Sequence, residues 1–334
     1  MPRNPKLFIK GTLIEVSSRI QEGLPLPPNE LSNLLIGNIL ARAQTLYPVK
    51  IVAYCFMQNH FHILLVVNNP EDVSGFVCYL KRESGHVINR LFGRRQHSVW
   101  CEGFDNPVIL DPETTIKRLN YIYLNPVSSG FVTRVKDWCL SSASWVDFSK
   151  EVSKRYFKPT PRNRIPCLPE GRLSEAEIGK LCRELSDLPG GYYTLKIEPH
   201  AWKECFSDTK GGGFYELHEL IFERIRIEED RLQKEREEEG RSCPSKSTLE
   251  TQDIRIRYRP KKFGKRMLCL ASDKSTRVAF LGWLKNLSKE LPRYLKQRGK
   301  DYQKTLHYPP GFFAPGGFLS ASILPACTPI PIIS

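Results

Sequence analysis

Two short clusters in this chain carry residue types whose spacing could do chemistry. The first is His60 and His62, placed just past Gln58-Asn59, where two apolar runs meet within residues 53–67. In a strand, residues two apart share a face, so both imidazoles would point one way and Phe61 the other. Two imidazoles on one face can share a metal ion, and a metal there suits phosphate chemistry. The second cluster is Asn120-Tyr121-Ile122-Tyr123-Leu124-Asn125-Pro126-Val127. On a helix Tyr121 and Asn125 are i and i+4 and stack on one face, whereas Tyr123 has apolar Val127 at its own i+4 position. A phenol is a poor nucleophile at its ordinary pKa of about 10. Aimed at a phosphodiester whose oxygens are clamped by a metal, it can attack and form a phosphotyrosine, which conserves the bond for a second transfer. Asn125 could then complete a ligand set with the histidines. Each element alone is weak, because His-x-His arises easily by chance and a Tyr four residues before an Asn usually just packs. Their combination on neighbouring elements is far more specific.

The elements that must hold these residues can be read from the same pattern. Residues 7–19 are rich in β-branched and aromatic residues and read as a first strand or hairpin arm. After Gly23 and three prolines, Asn29 is placed to cap a helix in which Leu31, Leu34, Leu35 and Ile39 recur at helical spacing. Residues 49–57 and 60–67 are two strands close enough to form a hairpin, and it carries the histidines. A second helix opens at Asn69-Pro70, a short strand is expected within 98–110, and Asp111 caps a third helix through Asn125. The order β-α-β-β-α-β with a trailing helix predicts an α+β, ferredoxin-like (split βαβ) catalytic domain with a C-terminal, mostly helical basic extension. The boundaries read as a catalytic domain over 1–150, a linker with a short helix over 151–213, where 154–169 are Pro/Arg-rich, and a charged helix and basic extension over 214–334. Ser174 and Glu177 are spaced as a capping box. Residues 214–239 read as a long helix whose charged second half is solvated or paired with a partner helix. Residues 254–259 read as a half-exposed strand and 274–300 as a basic amphipathic helix.

Charge is unevenly placed. Of the net +14, residues 241–304 hold 18 Lys+Arg against 5 Asp+Glu, while the rest of the chain holds 32 against 31. A near-neutral body with one basic segment suits a protein that holds a polyanion through a salt-sensitive attraction. Arg255, Arg257, Arg259, Lys261, Lys262, Lys265 and Arg266, with Tyr258 and Phe263 between them, could track a nucleic-acid backbone while rings stack on bases. Lys81, Arg82, Arg90, Arg94 and Arg95, on and after the second helix, form a second candidate patch, expected nearer the active site. The ten cysteines contain no C-x-x-C, which argues against a zinc ribbon or a redox motif. With no signal-like start and no apolar run of the roughly eighteen residues a membrane span needs, the expected setting is the cytoplasm, away from any membrane.

The segments Met57-Gln58-Asn59-His60-Phe61-His62-Ile63-Leu64-Leu65 and residues 121–132, with Val99-Trp100-Cys101-Glu102-Gly103-Phe104, resemble the single-tyrosine HUH transposases, most closely the branch associated with repetitive extragenic palindromes. The resemblance covers roughly residues 5–147. It implies that His60, His62 and Asn125 bind Mg²⁺ or Mn²⁺ and that Tyr121 cleaves single-stranded or hairpin DNA, leaving a 5′-phosphotyrosine and a free 3′-OH. Gln58 stands where the family usually has proline, and Ser128-Ser129 replaces a pair that is often Arg-Ala. These departures keep open a second expectation, a domesticated hairpin DNA- or RNA-binding protein that does not cut. The sequence allows either a monomer or a homodimer.

Overall fold

The computed structural model describes residues 8–21, 23, 26–95, 97–146, 151–157, 165–187, 191–206, 214–255 and 267–297. Four strands, β1 (Leu13–Arg19), β2 (Lys50–Phe56), β3 (His60–Val66) and β4 (Val108–Ile109), lie in the order β2-β3-β1-β4. Each neighbouring pair among them is antiparallel. With α1 (Glu30–Leu46) between β1 and β2, and α2 (Pro70–Leu91) between β3 and β4, this is the expected split βαβ arrangement. Phe61 packs against Phe56 and Trp100, and Trp100 donates its indole N–H to Ser84 of α2. One sheet face therefore carries α2, and α1 packs on α2 beside it. Helix α3 (Pro112–Ser128) covers the other face against β2 and β3. With cover on both faces, β3 is buried at every residue after His60, which explains why it reads as a continuous apolar run rather than an alternating one.

Helix α3 starts where the sequence says it should. Asp111 accepts from the Thr114 backbone N–H at 2.7 Å and Pro112 occupies the first turn, where its missing N–H costs nothing. The helix closes just before Gly130, whose φ of 74° is a conformation glycine reaches without strain.

The stretch expected to be a linker is instead part of the sheet. Strands β5 (Val152–Phe157) and β6 (Tyr192–Ile197) pair antiparallel over six residues, and β6 joins β2 in parallel at Ile51↔Ile197. Among the described residues the sheet thus grows to seven strands, β7 (Cys269–Leu270) lying beyond β4 at the far side. Further along β2, the edge is covered by residues 138–142: Trp138 donates to the Phe56 carbonyl, and Ser141 and Ser142 donate to the Tyr54 carbonyl. Between β5 and β6 lies α4 (Glu175–Ser186), with the predicted capping box of Ser174 and Glu177 formed.

Helix α5 (Phe214–Glu238) packs on α3, and its charged second half is largely solvated, as expected, with Glu229 and Arg236 as buried exceptions that tie it to the domain. Buried Glu229 accepts from the Val135 backbone N–H at 2.6 Å and pairs with Arg134, and Arg236 donates to the Val132 carbonyl. Ile254 and Arg255 lie in a turn rather than a strand; residues 256–266 lie outside the described residues. Helix α7 (Lys274–Gln297) forms as expected. Among the described residues no helix is long and apolar enough to cross a membrane.

Candidate active site

The β2–β3 connection is three residues long and is closed by a hydrogen bond from Met57 N–H to the His60 carbonyl. It delivers His60 and His62 to the face that α3 covers, with ring centroids 5.0 Å apart, while Phe61 goes to the opposite face. On α3 the two tyrosines separate as the spacing predicts. Tyr123 is 1% exposed, and burial raises its phenol well above the ordinary value. Tyr121 is 45% exposed, and its ring stands edge-on to His62 with centroids 5.4 Å apart.

Two residues that spacing alone did not single out join these groups. Glu15 on β1, only 3% exposed, accepts from Nδ1 of His62 at 2.7 Å. It also accepts two hydrogen bonds from Arg118, from Nε and from a terminal nitrogen, both at 2.6 Å. Arg118 is three residues before Tyr121 and lays its guanidinium 4.1 Å from that ring's centroid. Burial alone would raise the Glu15 carboxyl; hydrogen bonds and charge from His62 and Arg118 outweigh it and hold the group down at about 2. One carboxylate thus orients one histidine and, through Arg118, the tyrosine.

A carboxylate only accepts, so Nδ1 of His62 carries a proton, and Nε2 is the ring nitrogen left to face a ligand. Nδ1 of His60 lies on the Asn59 side-chain oxygen, which leaves its Nε2 in the same state. Burial first, then His62 and Arg19, push His60 down to about 3, so it is neutral near pH 7, the form in which imidazole binds metal. Asn125 is 8% exposed, and its amide nitrogen is buried with no hydrogen-bond partner among the described residues. Both Glu15 oxygens are already occupied, and among the described residues no group of three or more His, Cys, Asp or Glu gathers at one point. A divalent ion here would rest on His60, His62 and the Asn125 carbonyl, a donor set of imidazole and oxygen that suits Mn²⁺ or Mg²⁺.

Residues 30–121 match the family model described as Transposase IS200 like. The resemblance read from the sequence is therefore found again, over a stretch that includes both histidines and Tyr121. A protein of Haemophilus influenzae named as a REP-associated tyrosine transposase is 32% identical over 105 residues, which are 29% of this chain and 60% of that protein. The chain thus spans less than two thirds of the relative's length. A solved structure of a REP-associated tyrosine transposase bound to a REP hairpin is similar over 42% of this chain and 82% of that one, with 20% identity and a TM-score of 0.36.

The predicted basic patches fare differently. Lys81 donates to the carbonyls of Cys101 and Gly103, and Arg255 donates to those of Leu168 and Pro169, so both cross-link loops instead of projecting outward. Arg94 lies over the Phe92 ring, and Arg90 reaches the Ile165 carbonyl at 3.5 Å while staying exposed. Arg82 and Arg95 are exposed, Arg82 lying over the Tyr79 ring. Lys81 and Arg82 border an open cleft of about 440 Å³ with His86 and His97. Helix α2 packs on the sheet face away from Tyr121, so this patch is not part of the tyrosine's surroundings. Arg257, Arg259, Lys261, Lys262, Lys265 and Arg266 lie outside the described residues. Exposed Arg19, the cross-strand partner of His60, is a cation the sequence reading passed over. Its signal was register: it lies two residues beyond Ser17, the partner of His62.

Proposed function

We propose that the chain is a DNA strand transferase that acts through Tyr121 on single-stranded or hairpin DNA. The observation that carries this reading is the exposed phenol standing edge-on to His62 with Arg118 laid over it. In the proposed step the Tyr121 oxygen attacks a phosphodiester and forms a new P–O bond. The bond to the 3′ oxygen breaks, the phenol's proton ends on that oxygen, and the products are a 5′-phosphotyrosine and a free 3′-OH. A divalent ion on His60, His62 and Asn125 would supply Lewis-acid polarisation of the scissile phosphate. Arg118 and Glu15 hold the ring and His62 in place, and exposed Arg19 offers a cation to the phosphates entering the site. The name of the Haemophilus relative, a tyrosine transposase, supports the same reading.

The test is covalent capture of a labelled hairpin oligonucleotide with Mn²⁺ present. Wild-type protein should form a denaturant-stable adduct that EDTA prevents, and Tyr121→Phe should bind the oligonucleotide without forming it. Tight, salt-sensitive binding by the wild type with no adduct would instead support the binding-only reading that Gln58 and Ser128-Ser129 left open.

A further inference from the structure

The C-terminal extension reaches the histidine turn itself. After α6 (Lys246–Glu250), Gln252 accepts a hydrogen bond from the Gln58 side-chain amide at 2.6 Å, across 194 residues of sequence. Neighbouring groups fix this segment independently. Asn29, which caps α1 through its side-chain oxygen, donates its amide N–H to the Glu250 carbonyl at 2.8 Å. Leu249 and Ile254 are buried, and Arg255 ties the segment's end to Leu168 and Pro169. Gln252 is thus presented from a seated strap.

The receiving turn is short and already held through its backbone. The Gln58 carbonyl accepts from Leu26 N–H and the Asn59 carbonyl from Ile20 N–H, both at 2.8 Å. What the backbone leaves free is rotation of the turn's side chains, and the next side chain along, Asn59, lies on Nδ1 of His60. His62 has a separate support in Glu15. The two histidines are therefore steadied from opposite ends of the chain, His62 by β1 and His60 by a turn to which residues 245–255 are bonded.

We propose that Gln252 is a positioning residue for His60, so that the C-terminal extension sets the geometry of the histidine pair. The consequence for metal binding rests on the reading of that pair given above. A proline at position 58, which the family resemblance leads one to expect, has no side-chain donor, so this tie is specific to a chain with glutamine there.

The test uses the full-length chain with Gln252→Leu, which removes the acceptor, and Gln252→Glu, which keeps one. Gln58→Leu approaches the same tie from the other side. Two readouts are taken: ring NMR signals of His60 and His62 in metal-free protein, and Mn²⁺ affinity. Gln252→Leu and Gln58→Leu should shift the His60 ring signals and leave those of His62 in place, weaken Mn²⁺ binding by about threefold, less than the roughly tenfold that losing a direct partner of a metal-bound imidazole costs, and not compound each other in the double variant. Gln252→Glu should restore both readouts. Unmoved His60 signals in Gln252→Leu, or a Gln252→Glu variant as impaired as Gln252→Leu, would overturn the proposal. If the wild type binds no Mn²⁺, the metal reading fails, and the His60 signals alone then decide the positioning role.

Discussion

At the scale of single residues, the site turns on Glu15, a buried carboxylate that serves two partners at once. Removing its charge while keeping its shape should be severe, because Arg118 and His62 would then share an acceptor that cannot balance them. Glu15→Gln is expected to cost on the order of 3 kcal/mol in denaturant unfolding and to weaken Mn²⁺ binding tenfold or more. The same group sets an acid limit. Its folded value of about 2 lies below the ordinary 4.5, so the stability it contributes is full above 4.5 and is lost as pH falls toward 2. His60, held at about 3 rather than 6.5, adds a loss that begins earlier, as pH falls below 6.5. Acid titration of unfolding stability should show both limbs in the wild type, and Glu15→Gln should flatten the one below 4.5. A variant whose acid limb is unchanged would mean that the carboxylate is not held down by its partners. The pairing itself was not legible in the sequence, because residues 103 apart meet only after β1 and α3 pack. The tyrosine and the histidines were legible, since periods of two and of about four are local properties of strand and helix.

At the scale of elements, the hairpin and α3 were readable because their caps, turns and apolar runs agree with one another. Strand β5 was not: Val152-Ser153-Lys154-Arg155-Tyr156-Phe157 is an edge strand, and edge strands carry charge that reads as linker. Its seating makes a sharp prediction. Gly37 on α1 has no side chain because the Tyr156 ring occupies that space, and a Cβ there would overlap the buried ring. Gly37→Ala should therefore destabilise the protein by about 1–3 kcal/mol, measured by chemical unfolding, and Tyr156→Leu should recover much of it. If β5 were a loose linker, Gly37→Ala would be neutral or slightly stabilising, as alanine in a helix usually is.

At the scale of the whole molecule, the site-bearing domain does not end near residue 150. Helix α5 buries Ile221 and Ile225, Glu229 satisfies the Val135 N–H, and β6 covers part of the β2 edge. A fragment ending at residue 150 should lose cooperative unfolding and expose that strand edge, seen as a broadened transition and aggregation. A fragment as stable and cooperative as the full chain would contradict this. The sequence missed the dependence because composition changes at residue 150 while contacts do not. All of this structure converges on one exposed phenol, so the most direct measurement is peptide mapping of the covalent product formed by the full chain with a hairpin oligonucleotide and Mn²⁺. The nucleotide should be found linked through a 5′ phosphate to Tyr121. Linkage to Tyr123 or to any other residue, or no linked peptide at all, would contradict the account.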